Sequence, residues 1–271
     1  MYIIEKTQLK YLKKNYMSLI NELKELYAKN SKHSNYQILP NLLLNILSND
    51  NIEVRSRFEK ERMDYFKDKI NFTDKSVIDI GGNSGYFSFE TLDAGAKSVH
   101  HFEGHKEHSE FVALAAKAIE LESKVEVTND YFLFDEKHTS RKYDIVLLLN
   151  VLHHLGDDYG DNSLNIEKAK EGIINQLNNM SYCTDHIIFQ MGYCWQGNTS
   201  KLLFENGTKS EMIDFVTSGI EDNWVVEHIG IAESIENVIT YKPPNEDNLK
   251  RDDSLGEFLN RPIFILKSNR V

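Results

Sequence analysis

The sequence predicts an α/β fold: a mostly parallel, seven-stranded sheet with helices on both faces, closed by an antiparallel C-terminal hairpin and preceded by a helical extension. Three observations carry this expectation. Short runs rich in β-branched and aromatic residues recur at 76–80, 98–102, 125–128, 143–149, 186–190, 224–231 and 262–266. Helix-compatible segments at 85–94, 106–121, 166–179 and 210–218 separate most of them, and such alternation implies parallel strands joined by crossover helices. The last two runs are joined by a polar stretch, 240–259, and neighbouring strands without a crossover helix are usually antiparallel.

Before the first strand, Leu9, Leu12, Tyr16, Leu19, Ile20, Leu23, Leu26 and Tyr27 are spaced by threes and fours, the stripe of an amphipathic helix. A polar break at 30–35 separates it from a second helical patch at 39–47, and a charged lead-in holds Arg55, Arg57 and Arg62. Residues 1–70 are therefore expected to form a helical cap or extension, with packing, a homodimer contact or substrate binding as its role. Residues 71–271 form the main domain.

The first strand ends in Asp79-Ile-Gly-Gly-Asn-Ser-Gly-Tyr-Phe87. A glycine-rich turn between strand and helix lets a ligand press against bare backbone, and Gly81 and Gly85 suit positive φ. Glu103 closes the second strand about 20 residues on, where a carboxylate can clamp the two hydroxyls of a ribose. Asn129-Asp130-Tyr131 follows the third strand, a polar pair and a ring suited to the edge and face of a base. The fourth runs into Asn150-Val-Leu-His153-His154. In a doubly wound sheet these strand ends converge on one crevice.

Composition narrows the classes. The 271-residue chain is 41% hydrophobic, enough for a sizeable core, and carries a formal charge of −11. That charge disfavours a broad nucleic-acid grip, although residues 1–37 are locally basic. Cys183 and Cys194 form no disulfide framework or metal motif. No signal-peptide core or membrane-length apolar segment is present, so a cytoplasmic location is expected. The glycine spacing lacks the Gly-x-Gly-x-x-Gly of nicotinamide dehydrogenases.

The order Val-Ile-Asp79-Ile-Gly-x-Asn83-x-Gly85-Tyr86-Phe, then Phe-Glu103-Gly, then Asp-Ile-Val-Leu-Leu-Leu-Asn150-Val-Leu-His-His-Leu resembles the class I S-adenosylmethionine-dependent methyltransferases over residues 55–195. The resemblance implies a Rossmann-like sheet of seven strands with the last inserted beside the sixth. It implies S-adenosylmethionine as cofactor, with Gly81, Gly82 and Gly85 lining its methionine and ribose portion. Glu103 would hold the ribose, Asp130 would face the adenine, and Asn150 would lie near the methionine; Asp79, Asn83, Tyr86 and Tyr131 complete the expected cofactor set. Asn83 stands where the family's commonest loop has glycine, as in a subset whose Asn precedes Gly-Tyr-Phe.

Methyl transfer to a hydroxyl needs alignment and a base. His154, or else His153, is the candidate base. Arg55, Arg57, Gln190, Tyr193 and Trp195 are candidates for holding an acceptor. No metal is expected: the histidines from His100 to His108 lack ligand spacing, and Asn150 replaces the aspartate of the magnesium-dependent members. The expected acceptor is a small hydroxyl-bearing or anionic molecule, such as a sugar, nucleotide-sugar or surface-polysaccharide precursor. The Arg-rich lead-in also resembles the carboxymethylating enzymes of the tRNA wobble uridine, so a tRNA-modifying enzyme is the alternative, with a non-catalytic cofactor-binding subunit as the third.

Overall fold

The computed structural model describes residues 6–28, 37–47, 54, 56–220 and 222–270, with side chains from residue 14 onward. Five strands run parallel: β1 (Ser76–Ile80), β2 (Ser98–Phe102), β3 (Val125–Thr128), β4 (Tyr143–Leu149) and β5 (Thr184–Gln190). Three more, β6 (Trp224–Ile235), β7 (Val238–Lys242) and β8 (Ile263–Ser268), complete one sheet in the order β3-β2-β1-β4-β5-β8-β6-β7. The last strand, β8, lies antiparallel between β5 and β6, as the expected hairpin requires. The order reverses between β1 and β4, so the crevice beyond their C-terminal ends is the binding position of such a sheet.

Eight strands are present where seven were expected. The additional one is β7, which the sequence reading assigned to the start of a polar loop. The two residues between β6 and β7, Glu236 and Asn237, both take positive φ (52° and 65°), the geometry of a tight hairpin turn that matches strand twist. Tyr241 on β7 is buried and stacks 5.3 Å from Tyr65.

The helices cover both faces. α1 (Lys6–Ala28) lies on α5 (Lys106–Ala118), where Tyr27 meets Phe111 at 5.4 Å; α2 (Asn41–Leu44) lies on α4 (Tyr86–Asp93). Ile20, Leu23, Leu43 and Leu47 thereby share one apolar cluster with Phe89, Phe111 and Val112. α3 (Glu59–Lys69) buries Met63 and Phe66 against Phe87 and the sheet. The opposite face is covered by α7 (Ile166–Met180) and α8 (Lys209–Ile220), whose Ile173, Leu177, Met212 and Val216 pack on Val146, Leu148 and Ile187. Two single turns, α6 (Glu136–Thr139) and α9 (Gly256–Leu259), complete the helices used below. No helix among the described residues is long and apolar enough to cross a membrane.

Candidate active site

The crevice at the β1/β4 reversal has two lobes. One, of about 180 Å³, is lined by Gly81, Asn83, Glu103, Asp130, Tyr131, Asn150, His154 and Asp158, with Phe102 and Phe132 as apolar wall. The other, of about 360 Å³, is lined by Gln37, Arg57, Arg62, Asp79, Gly81, Gly82, Asn150, His153, His154, Phe258 and Arg261. Gly81, Asn150 and His154 belong to both, so the lobes meet at the ends of β1 and β4.

The turn after β1 explains its own sequence. Gly81, Asn83 and Gly85 all take positive φ (68°, 53° and 81°). Asn tolerates this region better than other side-chain-bearing residues, which is why it can stand in the middle-glycine place. A methyl on Gly82 would lie 2.5 Å from His101 Cε1 and 2.8 Å from the Asp79 carboxylate, so only bare backbone fits there. The Asn83 amide donates to Glu103 Oε2 (2.8 Å) and the His105 amide to Oε1 (2.7 Å), which ties the turn to β2. Burial raises the Glu103 carboxyl above its usual range, and these two amide bonds oppose the rise.

Asp79 is 2% exposed. Its Oδ2 accepts from Ser88 Oγ at 2.7 Å, and Ser88 Oγ also lies 3.0 Å from His101 Nδ1. Burial pushes the Asp79 carboxyl up to about 7; the Ser88 bond opposes this and Glu103 adds to it. His101 is fully buried and is pushed down to about 3 by burial and by His108 and His100, so it is neutral. Ser88 carried no sequence signal and His101 was weighed only as a metal ligand; together they form the floor beneath the glycine turn.

The single 3-10 turn Leu152–His154 places the two histidines differently. His153 is 3% exposed and its Nδ1 accepts the Gly192 amide at 3.2 Å. A backbone N–H can only donate, so in the neutral ring the proton sits on Nε2. Burial, then His154 and Arg261, hold His153 well below the usual histidine range, which makes it a neutral donor. His154 touches both lobes, with Nδ1 3.4 Å from Asp158 and 4.0 Å from Asp157. Those three side chains are also the one grouping among the described residues with ligand atoms close enough to share a metal ion.

The structure places the remaining sequence candidates as follows. Arg57 lines the larger lobe, whereas Arg55 lies outside the described residues. Asp130 and Tyr131 line the smaller lobe, Tyr131 with its ring over Gly104. Gly85 and Tyr86 open α4 behind the turn and line neither lobe. Gln190 is buried one layer behind the wall, accepting from Asn150 Nδ2 (3.0 Å) and donating to the Arg261 carbonyl (3.0 Å). Tyr193 and Trp195 are core aromatics whose polar atoms are spent on the carbonyls of Asn260 (2.7 Å) and Leu155 (2.6 Å), so neither reaches the cavity.

Three lining residues carried no motif. Gln37 accepts from Ser84 Oγ (3.1 Å) and the Tyr86 amide (3.2 Å), bracing the glycine turn from outside the sheet. Phe258 lies near the end of the 240–259 stretch and Arg261 just beyond it, between α9 and β8, and both line the larger lobe. Arg62, 2% exposed, lies on the buried stripe of α3, and its spacing from Phe66 was the available signal.

No family model and no curated protein sequence matches the chain. Among solved structures, the bifunctional kinase-methyltransferase WbdD superposes with a TM-score of 0.52 at 12% identity, over 93% of this chain and 46% of its own. The chain has the class I methyltransferase fold. A candidate RNA methyltransferase from Pyrococcus horikoshii gives a TM-score of 0.48 at 17% identity, covering 90% of this chain and 98% of its own.

Proposed function

We propose that the protein is an S-adenosylmethionine-dependent methyltransferase acting on an oxygen of a small hydroxyl-bearing or anionic acceptor, of the sugar, nucleotide-sugar or polysaccharide-precursor kind. The observation that carries this reading is the pair of lobes joined at Gly81, Asn150 and His154. One offers a carboxylate, a base-facing polar residue and aromatic rings; the other is lined with arginines and carries the candidate base at its neck. The residues fit the cofactor: Glu103 for the ribose, Asp130 and Tyr131 for the adenine, Gly81 and Gly82 for close backbone approach, and buried Asp79 for an ammonium group.

When bound, the cofactor supplies a sulfonium methyl that needs no further activation. The chain's own part is alignment and proton removal. His154 takes the acceptor's proton, and the carboxylates of Asp157 and Asp158 beside its Nδ1 favour the imidazolium that forms. His153, with Nδ1 taken by the Gly192 amide and its proton on Nε2, has no free lone pair and is not the base. Net charge of −11 disfavours a tRNA acceptor.

The test is incubation with isotope-labelled S-adenosylmethionine and a fractionated metabolite extract, followed by mass spectrometry. A gain of one methyl on an oxygen of a small anionic metabolite supports the reading. Labelled tRNA refutes the acceptor class, and cofactor binding without any methylated product refutes catalysis.

A further inference from the structure

The larger lobe gathers three guanidinium groups beside the buried Asp79. Around the single ring of Phe258 lie the guanidinium carbons of Arg62 at 4.7 Å, Arg261 at 4.8 Å and Arg57 at 5.2 Å from its centroid. Any two of them are therefore within about one Debye length, so salt does not screen their mutual repulsion away. All three line the cavity.

Two carboxylates already pair with the cluster, and Arg62 Nη1 also donates to Gln190 Oε1 at 3.4 Å. Glu59 reaches Arg62 only at 3.7 Å, while its oxygens accept from Ser56 Oγ (2.6 Å) and the Arg57 amide (2.7 Å). Glu257 reaches Arg261 at 3.7 Å but is held at 2.9 Å by Arg251. Arg261 is the telling member. Its side chain is 13% exposed, Nη1 donates to Asn150 Oδ1 at 2.9 Å, and its buried Nε has no hydrogen-bond partner. A buried donor left unsatisfied is costly unless a ligand completes it. Burial, with Arg57 and Arg62 adding, also lowers the Arg261 guanidinium to about 10, while Glu257 opposes the fall.

A guanidinium fork matches one carboxylate or phosphate edge in a two-bond pairing. The cofactor brings a single carboxylate, which uses one fork at most. Three forks converging on one cavity leave room for a second anion.

Building on the methyltransferase reading, we propose that Arg57, Arg62 and Arg261, gathered round Phe258, form a subsite for an oxyanion of the acceptor, phosphoryl or carboxylate, separate from the cofactor's own carboxylate. The subsite adjoins Asn150 and the neck at His154, so an acceptor anchored there by its charged group would present a nearby oxygen to the base.

The test uses full-length protein saturated with S-adenosylhomocysteine and titrated calorimetrically with inorganic phosphate, then with acetate. Binding of either probe in the millimolar range, weakened about 10-fold or more by Arg261→Gln and also weakened by Arg57→Gln, with S-adenosylhomocysteine affinity essentially retained, supports the subsite. Whether phosphate or acetate binds more tightly distinguishes a phosphorylated from a carboxylated acceptor. Arg57→Gln alters a half-buried member ahead of α3 and serves if Arg261→Gln does not fold. Displacement of S-adenosylhomocysteine by the probe, with parallel loss of its affinity in the arginine variants, would assign the cluster to the cofactor and overturn the proposal. So would the absence of any anion binding. If S-adenosylhomocysteine itself never binds, the methyltransferase reading fails, and titration of the protein alone still reports on the arginines.

Discussion

Asp79→Asn is expected to stabilise the fold, and to do so more at pH 8 than at pH 5. In the unfolded chain an aspartate titrates near 3.9, whereas burial pushes Asp79 up to about 7 in the folded protein. The folded state therefore prefers the protonated carboxyl. Its stability is fully present below the unfolded value and is lost as pH rises through about 7. At roughly 1.36 kcal/mol per pH unit, the linkage costs the wild type about 1.5 kcal/mol by pH 5 and about 4 kcal/mol by pH 8. Asparagine does not titrate, and its Oδ1 can still accept the Ser88 hydroxyl that Asp79 holds at 2.7 Å. Urea denaturation of both proteins between pH 5 and 8 should show the gap between them widening by about 2.5 kcal/mol, since every other titrating group is common to both. A gap that stays constant with pH would mean that Asp79 is not the buried acid the structure makes it. The same substitution should abolish any rise in cofactor affinity between pH 6 and 8, because the ionised carboxylate is the form that accepts an ammonium group.

Substitutions at four further residues probe the crevice. His154→Ala should lower turnover by about 10²–10⁴-fold with little change in cofactor affinity, whereas His153→Asn should cost less; equal losses in steady-state kinetics would undo the assignment of the base. Glu103→Gln should weaken S-adenosylhomocysteine binding by about 1–3 kcal/mol in calorimetry, and unchanged affinity would remove the ribose role. Asn83→Gly should leave the melting temperature nearly unchanged, while Asn83→Val should destabilise by about 1–2 kcal/mol because φ is 53° there; equal melting of the two would contradict the left-handed turn.

Much of the framework was legible because its signals are local. The runs at 76–80, 98–102, 125–128 and 143–149 are the observed β1 to β4, each a β-branched segment ended by a turn or polar cluster. β7 was not, since Val238-Ile-Thr-Tyr-Lys is short and its turn is built from Glu236-Asn237 without glycine. In the crevice, Glu103, Asp130 and Asn150 could be named because they end strands whose order fixes where they meet. Arg261 and Phe258 could not, because only the insertion of β8 between β5 and β6 carries them to the cavity. Tyr193 and Trp195 follow a strand end as a pocket residue would, yet aromatic type alone does not distinguish a lining ring from a core ring.

The place of β8 also sets an order of assembly. It is the last described strand in sequence but an interior one in the sheet, flanked by β5 and β6. While the chain is being synthesised, the strands through β5 and their helices can pair as soon as they emerge. The arginine-lined lobe cannot exist until β8 has displaced solvent from two waiting strand edges and drawn Phe258 and Arg261 to Arg62, almost two hundred residues earlier in the chain. Such long-range closure is slow and comes late. A nascent or C-terminally clipped chain would thus carry the glycine turn and its carboxylates while lacking the cationic half of the crevice, so that half is completed only when synthesis has run through β8.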